Sequence, residues 1–243
     1  MASQTQSARK ASAAKASERE ADRKRTILRA AVEVFSRKGY HGCRIADVAR
    51  EAGVAYGLVY HYFKNKDELL ESVFHSGWKG FLFRVTAALE HEGSLESKIR
   101  AIVTTAFDAY RRDHRAVKVL ILEVGRSPAG GAVNRGSAFG EVIQLAAVMF
   151  REAQERGELD PGLDPLLLST MLFGAIEMGL TAFVLGLLDR RDEVVLARSA
   201  RQVAETFLRG ALQAKVSALS PPEEAQPWTQ EKSATKSRVA RRD

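Results

Sequence analysis

Apolar residues recur along most of the chain at the spacing of an α-helix, in segments divided by glycines, prolines and short polar runs. Between residues 21 and 38 they form one face, and arginines and lysines occupy most of the rest; the apolar members are Ile27, Ala31, Val34 and Phe35. No clear run of alternating β-branched residues interrupts this periodicity. The pattern therefore predicts an all-α protein.

The next segment is interpreted as two short helices around a tight turn. They span residues 45–52 and 56–62, and Gly53 between them supplies the positive φ or close approach that such turns often need. The second of these helices is too short to be stable alone, so packing by Val59 and Phe63 must hold it in place. A long helix then begins at Asp67-Glu68, where acidic side chains suit the positive helix end, and runs to about residue 88.

The remaining two thirds of the chain also follow a helical pattern. Gly93-Ser94 predicts a helix start, Asp113-His114 a break, and residues 127–131 a loop. The predicted helices of this body cover residues 95–124 in two pieces, 139–155, 166–188 and 194–219.

The segment 166–188 is apolar for long enough to cross a membrane. Glu177 lies near its centre, however, and a charge in the middle of a lone span is costly. Gly174 and Gly179 instead allow close approach of another helix. We interpret the segment as a buried helix of a dimer interface, which with residues 194–219 of each subunit would form a four-helix contact.

Charge is distributed unevenly along the 243 residues. The formal net charge is +7, and residues 1–66 hold 14 Lys and Arg against 6 Asp and Glu, whereas the rest holds 23 against 24. Local positive charge attracts phosphate and speeds association with nucleic acid. A basic arm that is merely solvated explains the same charge equally well.

The number of cysteines and the motifs present limit which reactions and metal sites the chain can support. Cys43 is alone, which excludes an intramolecular disulfide and fits the cytoplasm, and the polar basic N-terminus has no apolar core of a secretory signal. The chain has no GxGxxG, no Walker-type loop, no HExxH and no paired cysteines, and its five histidines lack the spacing of metal ligands. We therefore expect no enzyme, no metal and no cofactor.

The ordered segments at the N-terminus resemble the DNA-binding domain of the TetR family of bacterial regulators. The matching stretches are ILRAAVEVFSRKGY (27–40), IADVAREAGVAYGLVYHYF (45–63) and KNKDELL (64–70). The resemblance implies a three-helix helix-turn-helix domain, followed by a larger helical domain for ligand binding and dimerisation. It also implies that the third helix enters the major groove while Tyr60 and Lys66 hold phosphates.

From the resemblance and from groove geometry we predict eight DNA-facing residues: Arg44, Ala55, Tyr56, Gly57, Tyr60, His61, Lys64 and Lys66. For Tyr60 the alternative is a core aromatic residue, which is the role we expect for Phe63. Cys43-Arg44 stands where the family often has a Thr/Ser pair, and Ala55 stands where Ser is frequent. Both departures remove helix caps.

The C-terminal half is more weakly similar to TetR-type regulators of fatty-acid metabolism, through VLILEVGRSP (119–128) and MLFGAIEMGLTAFVLG (171–186). Those relatives sense acyl-coenzyme A, and long apolar helices suit any apolar ligand. The candidate ligand contacts are Tyr110, Arg126, Phe173 and Glu177. For the polar ones among them a structural pair or a surface position is the alternative.

These interpretations divide the chain into a flexible basic arm (1–18), a helix-turn-helix domain (19–66), a ligand-binding and dimerisation domain (67–219) and a disordered tail (220–243). The predicted function is a homodimeric, cytoplasmic repressor that binds a palindromic operator and is released by an apolar small molecule, such as an acyl-CoA or a fatty acid. The alternative is a helical lipid-binding or membrane-surface protein, which gives no reason for the ordered pattern of residues 44–68.

Overall fold

A computed structural model describes residues 2–90, 93–124, 132–189 and 191–213, with side chains for 15–90, 93–122, 139–189 and 191–212. The regular elements of these residues are all helical, so the predicted all-α class is confirmed. They are α1 (Ala2–Gly42), α2 (Ile45–Glu51), α3 (Tyr56–Tyr62), α4 (Lys66–Glu90), α5 (Leu95–Arg112), α6 (His114–Val119), a π-helical turn (Leu120–Val124), α7 (Ala132–Glu155), α8 (Pro165–Val184) and α9 (Glu193–Gln213). The predicted loop 127–131 and tail 220–243 lie outside the described residues.

Helix α1 is longer than the apolar pattern predicts. We expected a flexible arm over residues 1–18, whereas the structure begins α1 at Ala2. Ala, Arg, Lys, Gln and Glu, which dominate this stretch, have high helix propensity, and the packed part of α1 supplies a nucleus from which they extend the helix. At the other end Gly39 adopts φ 72° and ψ 161°, so the helix breaks where predicted.

Helices α1, α2, α3 and the start of α4 form the head, whose core also takes in Val119 of α6 and Val142 of α7. Its buried members from the head include Ile27, Ala31, Val34, Phe35, Val48, Val59, Phe63, Leu69 and Phe74. Ile27, Ala31, Val34, Phe35, Val59 and Phe63 are positions at which the sequence predicts packing. Burying one such aromatic or branched side chain contributes roughly 1.5–3 kcal/mol, which is how the seven-residue helices α2 and α3 can be stable.

Helices α5 to α9 form the body, together with the second half of α4. Helix α7 packs along α8, and α5 packs along α9. The body core contains Leu95, Ile99, Phe107, Phe150, Leu172, Phe183 and Leu208. Two predicted boundaries are confirmed: Ser94 caps α5 by accepting from the Ser97 N–H, and Asp113 separates α5 from α6 while capping α6 through the Ala116 N–H.

Helices α4, α6 and α7 join the head to the body, α7 through Val142 and Phe139. Helix α4 is shared, because its first half packs in the head core while Val85 packs in the body core. Helix α6 lies against α1: Lys118 Nζ donates to the Ser36 carbonyl (2.8 Å), and Arg115 Nε lies 3.2 Å from the Glu33 carboxylate. A rearrangement of the body can therefore reach the head through α4, α6 and α7.

Helix α8 has two apolar faces with different surroundings. One face is buried in the body, whereas Leu167, Met171 and Met178 on the other are 59 %, 55 % and 65 % exposed. By length and mean hydropathy (1.7) it could cross a membrane, and in the described part of the chain it is the single helix that could. Glu177 lies on the exposed side.

Candidate nucleic-acid interface and effector region

Helix α3 presents most of its surface to solvent. Tyr56 is 53 % exposed and Tyr60 is 43 % exposed, and Gly57 and His61 are also exposed, whereas Val59 is fully buried. A side chain placed at Gly57 would meet nothing within 4 Å, so this point of the helix is open to a close neighbour. A major groove admits one α-helix, of which a few side chains reach the base edges, and the exposed face of α3 is of that size.

Tyr56 and Tyr60 form a pair one turn apart on this face. The Tyr56 hydroxyl donates to the Tyr60 hydroxyl (3.2 Å), and the rings meet edge to face with centroids 5.1 Å apart. This hydrogen bond, followed by partial burial, raises the pKa of Tyr60 above its ordinary value. Tyr60 therefore stays neutral at physiological pH, and its own O–H remains able to donate to a phosphate oxygen.

The start of α2 is capped by a side chain that our sequence analysis did not assign. Asp47 Oδ2 accepts the Arg44 N–H (3.0 Å), and Asp47 Oδ1 accepts from Lys38 Nζ (2.8 Å) and from Arg50. The Lys38 bond first, and then the Arg44 N–H, lowers the pKa of Asp47 to about 2. An acid three residues after the N-cap is the reciprocal half of a capping box, so spacing alone could have identified Asp47.

Arg44 is exposed at the start of α2, while Cys43 is buried and its thiol donates to the Tyr40 carbonyl (3.3 Å). Ala55 caps α3 with its backbone alone, since its carbonyl accepts the Leu58 N–H (2.9 Å). Gly53 adopts φ +65°, which confirms the predicted turn between α2 and α3. The helix-turn-helix geometry thus forms without the two hydroxyl caps frequent in the family.

Lys66 differs from the other predicted DNA contacts. Its ammonium donates to the carbonyls of Tyr40 (2.7 Å) and Cys43 (3.1 Å) and lies 4.3 Å from the centre of the Tyr40 ring. An ammonium has three N–H groups, so one remains for a phosphate. Lys66 therefore ties the end of α1 to the start of α4. The Lys64 side chain is exposed and forms no hydrogen bond or ion pair with the residues that the structure describes.

Lys24 is a further cation near α3. It lies on the exposed side of α1, with its ammonium 5.6 Å from the centre of the Phe63 ring. The sequence places Lys24 among the basic residues of α1 but carries no signal that it lies next to α3. Because Phe63 directly follows α3, this contact brings α1 charge to the edge of the candidate DNA-binding face.

The candidate ligand contacts in the body do not converge on one place. Tyr110 is buried in the body core against Phe183, with ring centroids 5.7 Å apart. Phe173 instead packs on Phe139 (5.6 Å) at the end nearer the head, and Glu177 is exposed. Arg126 lies outside the described residues.

An aromatic cluster fills the space between α4, α7 and α8. Phe74 and Trp78 stack at 5.7 Å, and Phe139 meets Trp78 edge to face at 4.7 Å. Two side-chain nitrogens in the described residues are buried without a hydrogen-bond partner, Trp78 Nε1 and Arg84 Nε, and both belong to α4. Buried donors of this kind are uncommon in folded proteins.

A groove of about 700 Å³ runs between α8 and α9 on the outer side of the body. Leu167, Met171 and Gly179 line it from α8, and Val203 and Gly210 from α9. Its lining is mostly apolar, and it opens on the same side as the exposed stripe of α8. These properties are typical of a surface that packs against other helices.

Both regions match known protein families. Residues 27–73 match the bacterial regulatory proteins of the tetR family, and residues 89–183 match the tetracyclin repressor-like C-terminal domain. The two matches cover the head and most of the body in that order. The chain belongs to the TetR family. Like other TetR-family proteins, it is a ligand-responsive, DNA-binding transcription regulator, and the resemblance seen in the sequence is confirmed.

Several TetR-family relatives align over most of the chain. The fatty acid metabolism regulator protein of Bacillus subtilis (strain 168) is 29% identical over 169 residues, which are 70% of this chain and 86% of that protein. The HTH-type transcriptional regulator UidR of Escherichia coli (strain K12) is 28% identical over 175 residues, covering 72% of this chain and 84% of UidR.

Solved TetR-family structures agree with the fold. The fatty acid degradation regulator FadR from Bacillus halodurans superposes with a TM-score of 0.71 at 26% identity, covering 79% of this chain and 97% of FadR. FadR from Bacillus subtilis in complex with stearoyl-CoA superposes with a TM-score of 0.69 at 28% identity, covering 76% of this chain and 97% of that FadR.

Among the residues that the structure describes, no group of three or more His, Cys, Asp or Glu could hold a metal ion.

Proposed function

We propose that this TetR-family regulator is a cytoplasmic homodimeric repressor that binds a palindromic operator and is released by a long-chain acyl thioester of coenzyme A. The observation that carries the DNA half is the exposure of α3, with Tyr56, Gly57, Tyr60 and His61 on one open face above the buried Val59. In this proposal, the α3 helix of each subunit reads one half-site. Arg44 and Lys64 contact phosphates at its two ends.

The dimer is proposed to form through α8 and α9. Leu167, Met171, Gly174 and Met178 recur along α8 at intervals of three and four residues, and the first, second and last of these are exposed apolar side chains. Such a stripe, continuous with the α8–α9 groove, suits a four-helix contact between two copies. A two-fold dimer would place the heads on half-sites about 34–36 Å apart.

The effector class rests on the body and on the relatives. Buried Phe and Leu side chains make up much of the body core, and apolar side chains of this kind line sites that accept fatty-acyl chains. FadR from Bacillus subtilis, which is 28% identical to this chain, has been crystallised with stearoyl-CoA. Release follows if the acyl thioester binds more tightly to the form of the dimer that does not fit the operator.

The direct test is a nuclease footprint on the DNA next to the gene for this protein, with and without stearoyl-CoA. The proposal predicts a two-fold symmetric footprint that disappears with stearoyl-CoA and is absent with Tyr60→Ala. Phe83→Ala, which removes a 74 % exposed aromatic residue from α4, is the matched control and should leave the footprint intact. Equal protection of unrelated duplexes at moderate salt would contradict the proposal.

The dimer has a separate test. Met178→Lys places a charge on the exposed stripe of α8, and burying an unpaired charge in a helix–helix contact is costly. Sedimentation velocity should then show a monomer, whereas Phe83→Lys, on an equally exposed apolar residue outside the stripe, should stay dimeric. A dimer that survives Met178→Lys would mean that another surface joins the subunits.

A further inference from the structure

A cavity of about 450 Å³ opens beside α6, between the end of α5 and the end of α8. Three of its lining side chains form a row of rings: the Tyr110 ring centre lies 5.7 Å from that of Phe183 and 6.3 Å from that of His114. Val184 and Leu185 add apolar surface. The volume lies within the range of small-molecule sites, roughly 300–1,000 Å³.

Two cations line the same cavity, Lys118 from α6 and Arg191 from the loop that follows α8. Asp189 is the acid in the lining, and its Oδ1 accepts the Arg191 N–H (2.9 Å), so this carboxylate serves the loop backbone. Among the described side chains, neither Lys118 nor Arg191 forms an ion pair. Positive side chains thus outnumber carboxylates around an apolar floor, which favours an anion with an apolar part.

Lys118 has a second role, because it also holds the head. Its ammonium donates to the carbonyl of Ser36 on α1 (2.8 Å). An ammonium has three N–H groups, so two remain for an anion in the cavity. Arg115, one turn earlier on α6, pairs with Glu33 of α1 but does not line the cavity. Of these two contacts between α6 and α1, the one made by Lys118 is therefore within reach of a ligand.

We propose that this cavity holds the anionic end of the effector, and that the anion competes with the Ser36 carbonyl for the Lys118 ammonium. An anion attracts an ammonium more strongly than an uncharged carbonyl oxygen does. The inference rests on the proposed function, because it assigns a place to the charged end of the acyl effector. A coenzyme A phosphate and a fatty-acid carboxylate share the required chemistry.

Competition for Lys118 couples ligand binding to the head. When the ammonium turns to the anion, α1 loses its hydrogen bond to α6, and α1 supplies Ile27, Val34 and Phe35 to the core that holds α3. The effector then binds more tightly to the form in which the head is loosened, which is the differential affinity that release requires.

A purely structural role for the two cations is to offset the partial negative charge at the C-terminal end of α8. The fold already satisfies carbonyls of that last turn: Thr181 accepts the Leu185 N–H (2.9 Å) and Phe183 accepts the Gly186 N–H (3.2 Å). The two roles differ in what a substitution changes. A structural cation contributes to stability alone, whereas a ligand contact contributes to binding.

The test compares Lys118→Met and Arg191→Gln with two controls. Arg115→Ala removes the other α6 contact to α1, and Arg198→Gln removes an exposed arginine of α9 that does not line the cavity. Titration calorimetry measures the binding of pyrophosphate, coenzyme A, decanoate and stearoyl-CoA to the full-length protein. We expect Lys118→Met and Arg191→Gln to weaken at least one probe by about tenfold, because a charge-assisted hydrogen bond is lost, and the controls to weaken none. Dependence confined to decanoate identifies a carboxylate, and dependence that includes coenzyme A identifies a phosphate.

Release of a labelled operator tests the competition. Arg191 is exposed and does not contact α1, so Arg191→Gln should bind the operator as the wild type does without ligand but need about tenfold more stearoyl-CoA for half-release. Lys118→Met should bind the operator more weakly without ligand and respond less to stearoyl-CoA. Release of the operator from Lys118→Met at the wild-type concentration would overturn the competition.

The remaining outcomes separate the site from the proposed effector. Wild-type affinity of both variants for stearoyl-CoA and every other probe, with or without a loss of thermal stability, would overturn the site while leaving an acyl-CoA effector in place. Binding of pyrophosphate or decanoate that depends on both cations, in a protein whose operator complex ignores stearoyl-CoA, would support the site and reject that effector. A wild-type protein that binds the operator but none of the probes would overturn both.

Discussion

The head and the body are both helical, but they differ in how their buried and half-buried polar groups are satisfied. In the head, Asp47 serves the Arg44 N–H and Lys38, and Lys66 serves two carbonyls at the end of α1. In the body, α4 buries Arg84 Nε without a partner, and α8 exposes an apolar stripe. The named polar groups around α2 and the start of α4 thus have partners within the head, whereas the body exposes the apolar stripe that the proposed dimer would cover.

The largest predicted effect is a loss of head stability that leaves ligand binding by the body intact. Phe63 lies in the head core and is 2 % exposed. Phe63→Ala should lower the free energy of unfolding of the head by about 3–5 kcal/mol, because a cavity replaces the ring. Operator binding measured by fluorescence anisotropy should disappear, while stearoyl-CoA binding measured by calorimetry should persist. Parallel loss of both would mean that the head and the body are not separable in this way.

A matched pair of lysines tests whether the polar groups of the head hold its shape. Lys66→Met removes the hydrogen bonds to Tyr40 and Cys43 and should cost about 1.5–3 kcal/mol in thermal or chemical unfolding, besides weakening operator binding. Lys64→Met should leave stability unchanged and weaken operator binding uniformly, with a shallower salt dependence. Equal unfolding curves for the two variants would assign Lys66 to DNA binding alone.

The Asp47 cap predicts a pH dependence that is specific to the head. Since the pKa of Asp47 is lowered to about 2 by Lys38 and the Arg44 N–H, its contribution to stability is complete above the unfolded-state pKa of about 4 and is lost as pH falls towards 2. Asp47→Asn should remove this part of the acid sensitivity, measured by circular dichroism from pH 5 to 2. Asp22→Asn on the exposed part of α1 is the control. An Asp47→Asn profile that follows the wild type would contradict the cap.

The smallest effect concerns communication between the regions. Arg115→Ala breaks an exposed ion pair with Glu33, which is worth about 0.2–1 kcal/mol, so operator affinity without ligand should change little. If α6 transmits the effector signal to α1, the stearoyl-CoA concentration for half-release of the operator should rise about two- to fivefold. Lys98→Ala, on an ion pair with Glu152 away from α1, should leave that concentration unchanged. Unchanged release in Arg115→Ala would leave α4 and α7 as the routes.

The sequence predicts the head more closely than the body for a physical reason. The bounds of α3 were predicted to the residue, because Gly53 and the apolar positions Val59 and Phe63 carry local signals of turn and packing. The roles of Lys66 and Lys24 depend on partners far away in the chain, such as Tyr40 and Phe63, and no local spacing reports them. These contacts required the structure.

In the body, apolar periodicity predicts where the helices are, but it does not predict which helix packs against each apolar face. Phe173 and Glu177 are both candidate ligand contacts from the weaker resemblance, and the structure gives them different surroundings: Phe173 packs on Phe139, and Glu177 is exposed. The helix 166–188 was predicted too long: α8 ends at Val184, and Gly186 follows with φ +75°.

The central claim is that α3 holds the operator and that an acyl thioester in the body releases it. The most direct measurement is the fluorescence anisotropy of a labelled operator duplex bound by the full-length protein during titration with stearoyl-CoA. The account predicts that the anisotropy falls to the value of the free duplex and that coenzyme A alone is much less effective. It also predicts that adding the Tyr60→Ala variant to the free duplex does not raise the anisotropy. An operator that stays bound at saturating stearoyl-CoA, or that Tyr60→Ala binds as tightly as the wild type, would contradict it.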